Sequence, residues 1–217
     1  MRYLNNYIEH LNEENNFEEG LTDNNIDSYK EKIKIKKLKI GQKEIYLDQV
    51  VDHMIKNSIF VEETLNGKIK DRKILISSDN FIIDGNHRLA VAFILNPKCK
   101  IKCTKINVGF DESIDIFKKI DIDDDHKDGN SKYNIFNLIK LDRDKLKDIL
   151  KDIFSKQDKK KVSELMDEIE NKTKSDLHPL NYMIRNIYKM PLPDNDSHDR
   201  SDLPQMNDKE IDEILNF

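Results

Sequence analysis

The chain has no tryptophan, two cysteines and six glycines in 217 residues, and no two of the glycines adjoin. Scattered glycines exclude the glycine-rich phosphate cradles. Neither Gly-x-x-x-x-Gly-Lys-[Ser/Thr] nor Gly-x-Gly-x-x-Gly occurs, so there is no ordinary P-loop and no dinucleotide fingerprint. A Gly-x-Ser-x-Gly elbow and a His-Glu-x-x-His zinc helix are also absent. The two cysteines lie in Pro97-Lys98-Cys99-Lys100-Ile101-Lys102-Cys103. Strict alternation puts Cys99, Ile101 and Cys103 on one face of a half-buried strand and the lysines on the other. Residues so placed on one strand are badly oriented for a disulfide, and a metal site lacks its second pair of ligands. Two buried, reduced thiols are expected.

No apolar run approaches the roughly 20 residues of a membrane span. The first residues lead into acids rather than an apolar segment, so no secretory signal is read and a cytoplasmic protein is expected. Hydrophobic residues make up 37% and charged residues 36%, and the formal net charge is −5 from 37 basic and 42 acidic side chains. The low apolar share predicts that part of the chain is extended, disordered or dependent on a partner. The charge balance argues against coating nucleic acid by bulk charge. The bias to Lys, Asn, Ile and Asp fits an AT-rich genome, such as that of a phage or a low-GC bacterium.

What stands out is Phe81-Ile82-Ile83-Asp84-Gly85-Asn86-His87-Arg88, followed by the apolar residues 89–95. It reads as a buried strand, a polar turn and the start of an apolar helix. Such a turn directs backbone N–H groups and the positive end of the helix dipole at one place, which suits an anion. Arg88 adds a planar fork of donors for phosphate or carboxylate. His87 can donate to a phosphoryl oxygen or move a proton near neutral pH. Asp84 can hold a metal ion or a substrate hydroxyl, and Gly85 permits a backbone conformation closed to other residues. Asp-Gly-Asn is also ordinary turn chemistry.

Around this motif, residues 32–40 begin as a strand whose double lysine shifts the phase, marking a bulge or a strand end. Residues 41–44 read as a loop, and residues 45–56 as a helix with Leu47, Val50, Val51, Met54 and Ile55 on one face. Asn66-Gly67 is a turn signal. Residues 73–77 and 80–84 flank Ser78-Asp79 as a hairpin. A helix over 87–95 stops at Asn96-Pro97. The cysteine strand runs to about residue 108, and a short helix over 111–119 follows. In the acidic run 121–130, His126 stands where an EF-hand loop needs glycine and Lys132 where it needs glutamate, so it reads as solvated. Leu146, Ile149, Leu150, Ile153 and Phe154 form one helical stripe, and Val162, Leu165, Met166 and Ile169 form a second, giving a helical hairpin. Further helices are expected over 3–11, 180–188 and 208–215, with an irregular segment over 190–206.

The order strand, Glu-bearing loop, helix, hairpin, Asp-Gly-x-His-Arg, helix, strand over residues 31–108 resembles the ParB/sulfiredoxin-like superfamily. The implied fold is α+β: a small mixed ParB/sulfiredoxin-like sheet with packed helices (residues 31–120), preceded by a helical or extended segment (1–30) and followed by a helical C-terminal region (135–217). The sulfiredoxin branch has its cysteine where this chain has Asn86. ParB partition proteins usually carry a Gly-Glu-Arg-Arg type of motif, and residues 135–188 show no basic recognition helix. The Asp-Gly-x-His-Arg form looks most like the free serine kinase branch. That resemblance implies Glu44 as general base, with Asp84 and His87 serving substrate, metal and phosphates. It implies a nucleotide (ATP, ADP or CTP) at Gly85, Asn86, His87 and Arg88, and Mg²⁺ at Asp84. The ordinary role of Glu44 is a charge in the first turn of its helix. The implied function is a phosphotransferase or nucleotide hydrolase acting on a hydroxyl acceptor. The alternative is a ParB-like DNA-binding or nuclease-like protein with a nucleotide switch; a third reading is a scaffold kept for protein interaction. The C-terminal helices would shape the acceptor site or join copies of the chain as a homo-oligomer.

Overall fold

The computed structural model describes residues 28–70, 74–119, 131–199 and 203. The helices expected over 3–11 and 208–215 and the acidic run 121–130 lie outside these residues. Five strands are present: β1 (Ser28–Lys34), β2 (Lys68–Ile69), β3 (Leu75–Ile76), β4 (Ile82–Asp84) and β5 (Lys100–Ile106). The long cysteine strand β5 is the centre. One edge carries β1 antiparallel. The other edge takes two short parallel partners, β2 beside its start and β3 beside its end. β3 and β4 form the antiparallel hairpin expected around Ser78-Asp79.

β1 begins earlier than the sequence predicts, and it stops where the double lysine shifts the phase. A 3-10 turn, Ile35–Lys37, follows, closed by the Leu38 N–H on the Ile35 carbonyl at 3.0 Å. The shift is therefore a strand end and not a bulge. The turn lets Ile35, Leu38 and Ile40 all remain buried although they are out of strand phase.

Eight α-helices occur among the described residues, so the fold is α+β. They are α1 (Leu47–Lys56), α2 (Ser58–Leu65), α3 (Asn86–Leu95), α4 (Phe110–Lys119), α5 (Ile135–Leu138), α6 (Arg143–Ser155), α7 (Lys159–Thr173) and α8 (Pro179–Ile187). α1 buries the five residues of its predicted stripe. α6 and α7 form the expected hairpin, each begun by an aspartate cap: Asp142 accepts from the Lys145 N–H and Asp158 from the Lys161 N–H. His178 opens α8, its Nδ1 accepting from the Leu180 N–H at 3.3 Å. Helix α2 was not anticipated. Its Ser-Ile-Phe-Val-Glu-Glu-Thr-Leu carries too short a pattern to declare a period, and it is buried through Phe60, Val61, Thr64 and Leu65.

Alternation along the strands divides the core in two. Ile74, Ile76, Ile82, Ile101 and Cys103 join the large cluster made with α1, α2, α3, α6, α7 and α8. Leu75, Phe81, Ile83 and Ile106, also buried, lie outside that cluster on the opposite phase, with Phe110 and Ile114 of α4 buried as well. Phe81 and Phe110 stack with ring centroids 4.6 Å apart. The helices of the C-terminal half share the main core rather than forming one of their own: Leu146, Leu150, Leu165, Ile169, Met183, Ile184 and Ile187 belong to the same cluster as Ile33.

From Leu89 onward α3 is apolar on every side, and the helix is enclosed by α1, α2 and α8. A helix buried at its C-terminus brings carbonyls without intrahelical partners into the interior. Here α8 supplies their donors. Asn186 Nδ2 donates to the Ile94 carbonyl at 2.7 Å, and the Tyr182 hydroxyl donates to the Leu95 carbonyl at 2.8 Å. Asn186 is only 2% exposed, so no water stands ready to replace it.

Two predictions follow from this packing. Asn186→Ala leaves the Ile94 carbonyl short of a donor and opens a small void, lowering stability by about 1–3 kcal/mol in urea unfolding; an unchanged midpoint would mean the bond contributes nothing. Burial pushes the Cys99 and Cys103 thiols up to about 12. Since the thiolate is the reactive form, about 1 thiol in 10⁴ is ionised at pH 8, and neither cysteine should react with a disulfide reagent until the chain is unfolded.

Candidate functional site

The turn is fixed from both sides of β4. On one side the strand pairs with β3. On the other, Phe81 bridges Lys39, and the Ile82 N–H donates to the Lys39 carbonyl at 3.0 Å. Ile82 and Ile83 are fully buried, so the strand cannot slide. Gly85 then takes the left-handed conformation (φ 98°, ψ 21°) and is the N-cap of α3. A Cβ there would lie 2.9 Å from Ile74 Cγ1, so position 85 is closed to other residues by both conformation and space. Glycine offers no capping side chain, and the first turn of α3 holds no acid. The partial positive charge of the helix start is therefore not answered from within that turn.

Asp84 and Arg88, on either side of this start, approach each other. Arg88 Nη1 stands 4.0 Å from Asp84 Oδ2, with the side chains 26% and 22% exposed. Both side chains are thus partly exposed at the helix start.

Asn86 and His87 point elsewhere. Asn86 is buried, its Oδ1 accepting from the Gly41 N–H at 3.1 Å and its Nδ2 reaching the Ile82 carbonyl at 3.5 Å. Its side chain is committed to the fold, so what position 86 offers a ligand is its backbone. His87 Nε2 accepts from the Tyr46 N–H at 3.2 Å. A backbone N–H can only donate, so Nε2 carries no proton and the proton of the neutral ring sits on Nδ1. The ring lies 6.4 Å, centroid to centroid, from that of His53 on α1.

These two bonds carry the loop 41–46 onto the turn. Gly41 lies three residues before Glu44 and Tyr46 two after it, so the contacts bracket Glu44, which is half-buried. Gly41 can approach only because it has no side chain: a Cβ would lie 2.1 Å from the Ile82 carbonyl oxygen and 2.7 Å from Phe110 Cζ. The C-terminal half holds the same loop from a third direction. The Leu47 N–H donates to the Tyr133 carbonyl and the Ile135 N–H to the Ile45 carbonyl, each at 2.8 Å, and Asn134 Nδ2 donates to the Lys43 carbonyl at 3.2 Å.

The structure thus brings Asp84, Gly85 and Arg88 together at one helix start and brings the Glu44 loop against it. It turns the side chains of Asn86 and His87 toward that loop. Gly41, Tyr46 and Tyr133-Asn134, which hold the loop in place, belong to no motif in the sequence. Only Gly41 left a signal, as a glycine directly after a strand end. Among the described residues no three His, Cys, Asp or Glu side chains converge as a metal-binding group, and no helix is long and apolar enough to cross a membrane.

Gly85→Ala should lower stability by about 1–3 kcal/mol, because the residue must adopt a left-handed conformation and displace Ile74. Gly41→Ala should cost more, since the obstructing Ile82 oxygen is backbone and cannot swing aside. Urea unfolding of both variants checks this, and a wild-type midpoint for Gly85→Ala would contradict the geometry. Comparison of the chain with protein-family models, with curated proteins and with solved structures gives no match.

Proposed function

We propose that the turn at residues 84–88 binds nucleotide phosphates and that the chain is a nucleotide-dependent phosphotransferase or nucleotide hydrolase acting on a hydroxyl, of the ParB/sulfiredoxin-like kind. One observation carries the reading: the only acid of the loop 41–46 is bracketed by two hydrogen bonds to the first turn of α3. A proton acceptor and a helix start equipped with arginine are two of the parts a phosphoryl transfer needs. α1 begins immediately after the loop, and its N-cap Tyr46 bonds to His87 in the first turn of α3, while the α3 start, with no acid in its first turn, favours an anion.

In this reading the terminal phosphoryl group sits on the N–H groups that open α3, with Arg88 forked across its oxygens. The acceptor hydroxyl gives its proton to the Glu44 carboxylate as its oxygen bonds to phosphorus. The bond from phosphorus to the bridging oxygen breaks, and the nucleoside diphosphate leaves. With water as acceptor the same step is hydrolysis. Asp84, at 4.0 Å, helps to aim Arg88. Mg²⁺ ordinarily takes one or two carboxylates together with substrate phosphates and water. A single carboxylate at the turn fits an ion that arrives with the nucleotide, and Asp84 would hold it; its chemistry would be to offset charge on the phosphoryl oxygens.

The charge pattern gives the DNA-switch alternative no support. Lys145, Lys151, Lys156 and Lys160 of the helical hairpin each pair with an acid three or four residues away, so these lysines face mixed charge rather than forming a basic stripe.

Thermal unfolding with ATP, ADP, CTP and GTP, each with Mg²⁺, tests the proposal. One nucleotide should raise the midpoint, with about 2.7 kcal/mol of stabilisation at a hundredfold excess over Kd. Arg88→Ala should abolish the shift. Glu44→Gln should still bind but transfer phosphoryl groups about 10²–10⁴-fold more slowly. The absence of any shift defeats the nucleotide reading, and undiminished transfer by Glu44→Gln defeats the base assignment alone.

A further inference from the structure

We infer that residues 194–199 are a strap that holds the Glu44 loop against the turn, so that the competence of the site depends on a segment more than 150 residues away in sequence. This inference deepens the phosphate-site reading and rests on it for its functional consequence.

After α8 the chain runs without helix or strand until it meets residues 40–43. There Gln42 and His198 form a parallel bridge. The His198 N–H donates to the Gly41 carbonyl and the Lys43 N–H donates to the His198 carbonyl, both at 2.9 Å. One residue earlier, the Ser197 hydroxyl donates to the Ile40 carbonyl at 2.7 Å, and Ser197 is only 3% exposed. The strap therefore satisfies three backbone groups, at Ile40, Gly41 and Lys43, of the segment that leads into Glu44. The same Gly41 whose carbonyl it takes gives its N–H to Asn86. Gly41 is thus gripped by the strap on one side and by the turn on the other.

Side chains add to the backbone pairing. The His198 ring stands edge-on to Phe110 with centroids 5.4 Å apart, and Phe110 in turn stacks on Phe81. His198 Nε2 lies 2.9 Å from Asp111 Oδ1, and Lys43 Nζ lies 3.3 Å from Asp199 Oδ1. Magnitudes decide which of these matter. Asp111 is 78% exposed, and Lys43 and Asp199 are each about half exposed, so both ion pairs are weak. Ser197 is buried, and losing its hydroxyl leaves a carbonyl without water or partner. The hold therefore lies in Ser197 and the backbone bridge. The ion pairs at the rim are secondary. Detachment of the strap would leave Lys43 N–H and the Ile40 and Gly41 carbonyls open, and would let the loop swing on its remaining contacts. Whatever displaces residues 194–199 would then switch the site off without touching it.

Hydrogen exchange on the full chain reads this directly, because amide protection reports the local opening equilibrium. Ser197→Ala removes the buried hydroxyl, and His198→Pro removes the N–H that donates to Gly41. Exchange across residues 41–46 should rise about tenfold in Ser197→Ala, the equivalent of one buried hydrogen bond, and further in His198→Pro. The α6–α7 hairpin should keep wild-type protection, which a general loss of stability would not allow. Asp111→Asn should leave exchange near that of wild type. In a phosphoryl-transfer assay, Ser197→Ala should lower kcat with little change in nucleotide affinity, since the turn that binds phosphate is untouched. Unchanged protection at 41–46 in both strap variants overturns the inference, whatever the nucleotide does. Faster exchange at 41–46 in a protein that binds no nucleotide sustains the strap and sinks the phosphate-site reading instead.

Discussion

The structure turns on the burial of one helix. Leu89, Ala90, Val91, Ala92, Ile94 and Leu95 of α3 are each 1% exposed or less. Beyond its first turn the helix is apolar all round, has no solvent face and must be surrounded. Its end groups then become the problem, because buried carbonyls without donors cost about 1–3 kcal/mol each. The C-terminal end is answered by Tyr182 and Asn186 of α8. The helices after residue 135 are therefore not an appendage to a finished unit. They complete the enclosure of α3 and satisfy its backbone, and through Tyr133 and Ile135 they also pin the loop before α1.

The opposite end of the same helix has the contrary requirement. Gly85 gives it no cap, and its first turn contains no acid. What reaches it instead is a loop, held by a buried asparagine and a half-buried histidine. A rigid helix with one sealed end and one end open to a loop is a suitable base for chemistry, since the rigid part fixes position and the loop is free to carry the reacting groups. The sheet contributes stiffness: β4 is locked by partners on both sides before the turn begins.

Much of this was legible in the sequence. The stripe of α1, the hairpin around Ser78-Asp79, the alternation of the cysteine strand and the stop at Asn96-Pro97 are local signals, and each element lies where its signal placed it. The α+β fold with a mixed sheet, expected from the family resemblance, is the one observed. What could not be read were relations across the chain. Nothing near Ser197 announces that its hydroxyl will meet Ile40, and nothing near Tyr46 announces His87. The sequence assigns Asn86 to ligand binding through the family resemblance and His87 through the same resemblance and imidazole chemistry, and neither says which way a side chain turns. The competing fact, invisible locally, is that the loop at Gly41 and Tyr46 offers two N–H groups that need acceptors. Helix α2 was missed for a simpler reason: eight residues give a helical period too few repeats to show itself.

The double use of the motif bears on how the site should be probed. His87 accepts a proton-bearing N–H from Tyr46 at Nε2, a bond that only the unprotonated nitrogen can make. A proton taken up at Nε2 would set two donors against each other and push the loop away. A relay through that nitrogen is thus incompatible with the loop remaining where it is, whereas a donor at Nδ1 is not. Substitution of His87 would remove an architectural bond along with any chemical role, and loss of activity in such a variant would not separate the two. Asn86 carries the same ambiguity, being the partner of Gly41. Arg88 and Glu44 are better witnesses. The first faces Asp84 at 4.0 Å, the outer limit of an ion pair, and the second stands between Gly41 and Tyr46, whose bonds to the turn run through backbone N–H groups. Chemistry at this turn is therefore to be judged on those two residues, with His87 and Asn86 read first as the joints that bring them together.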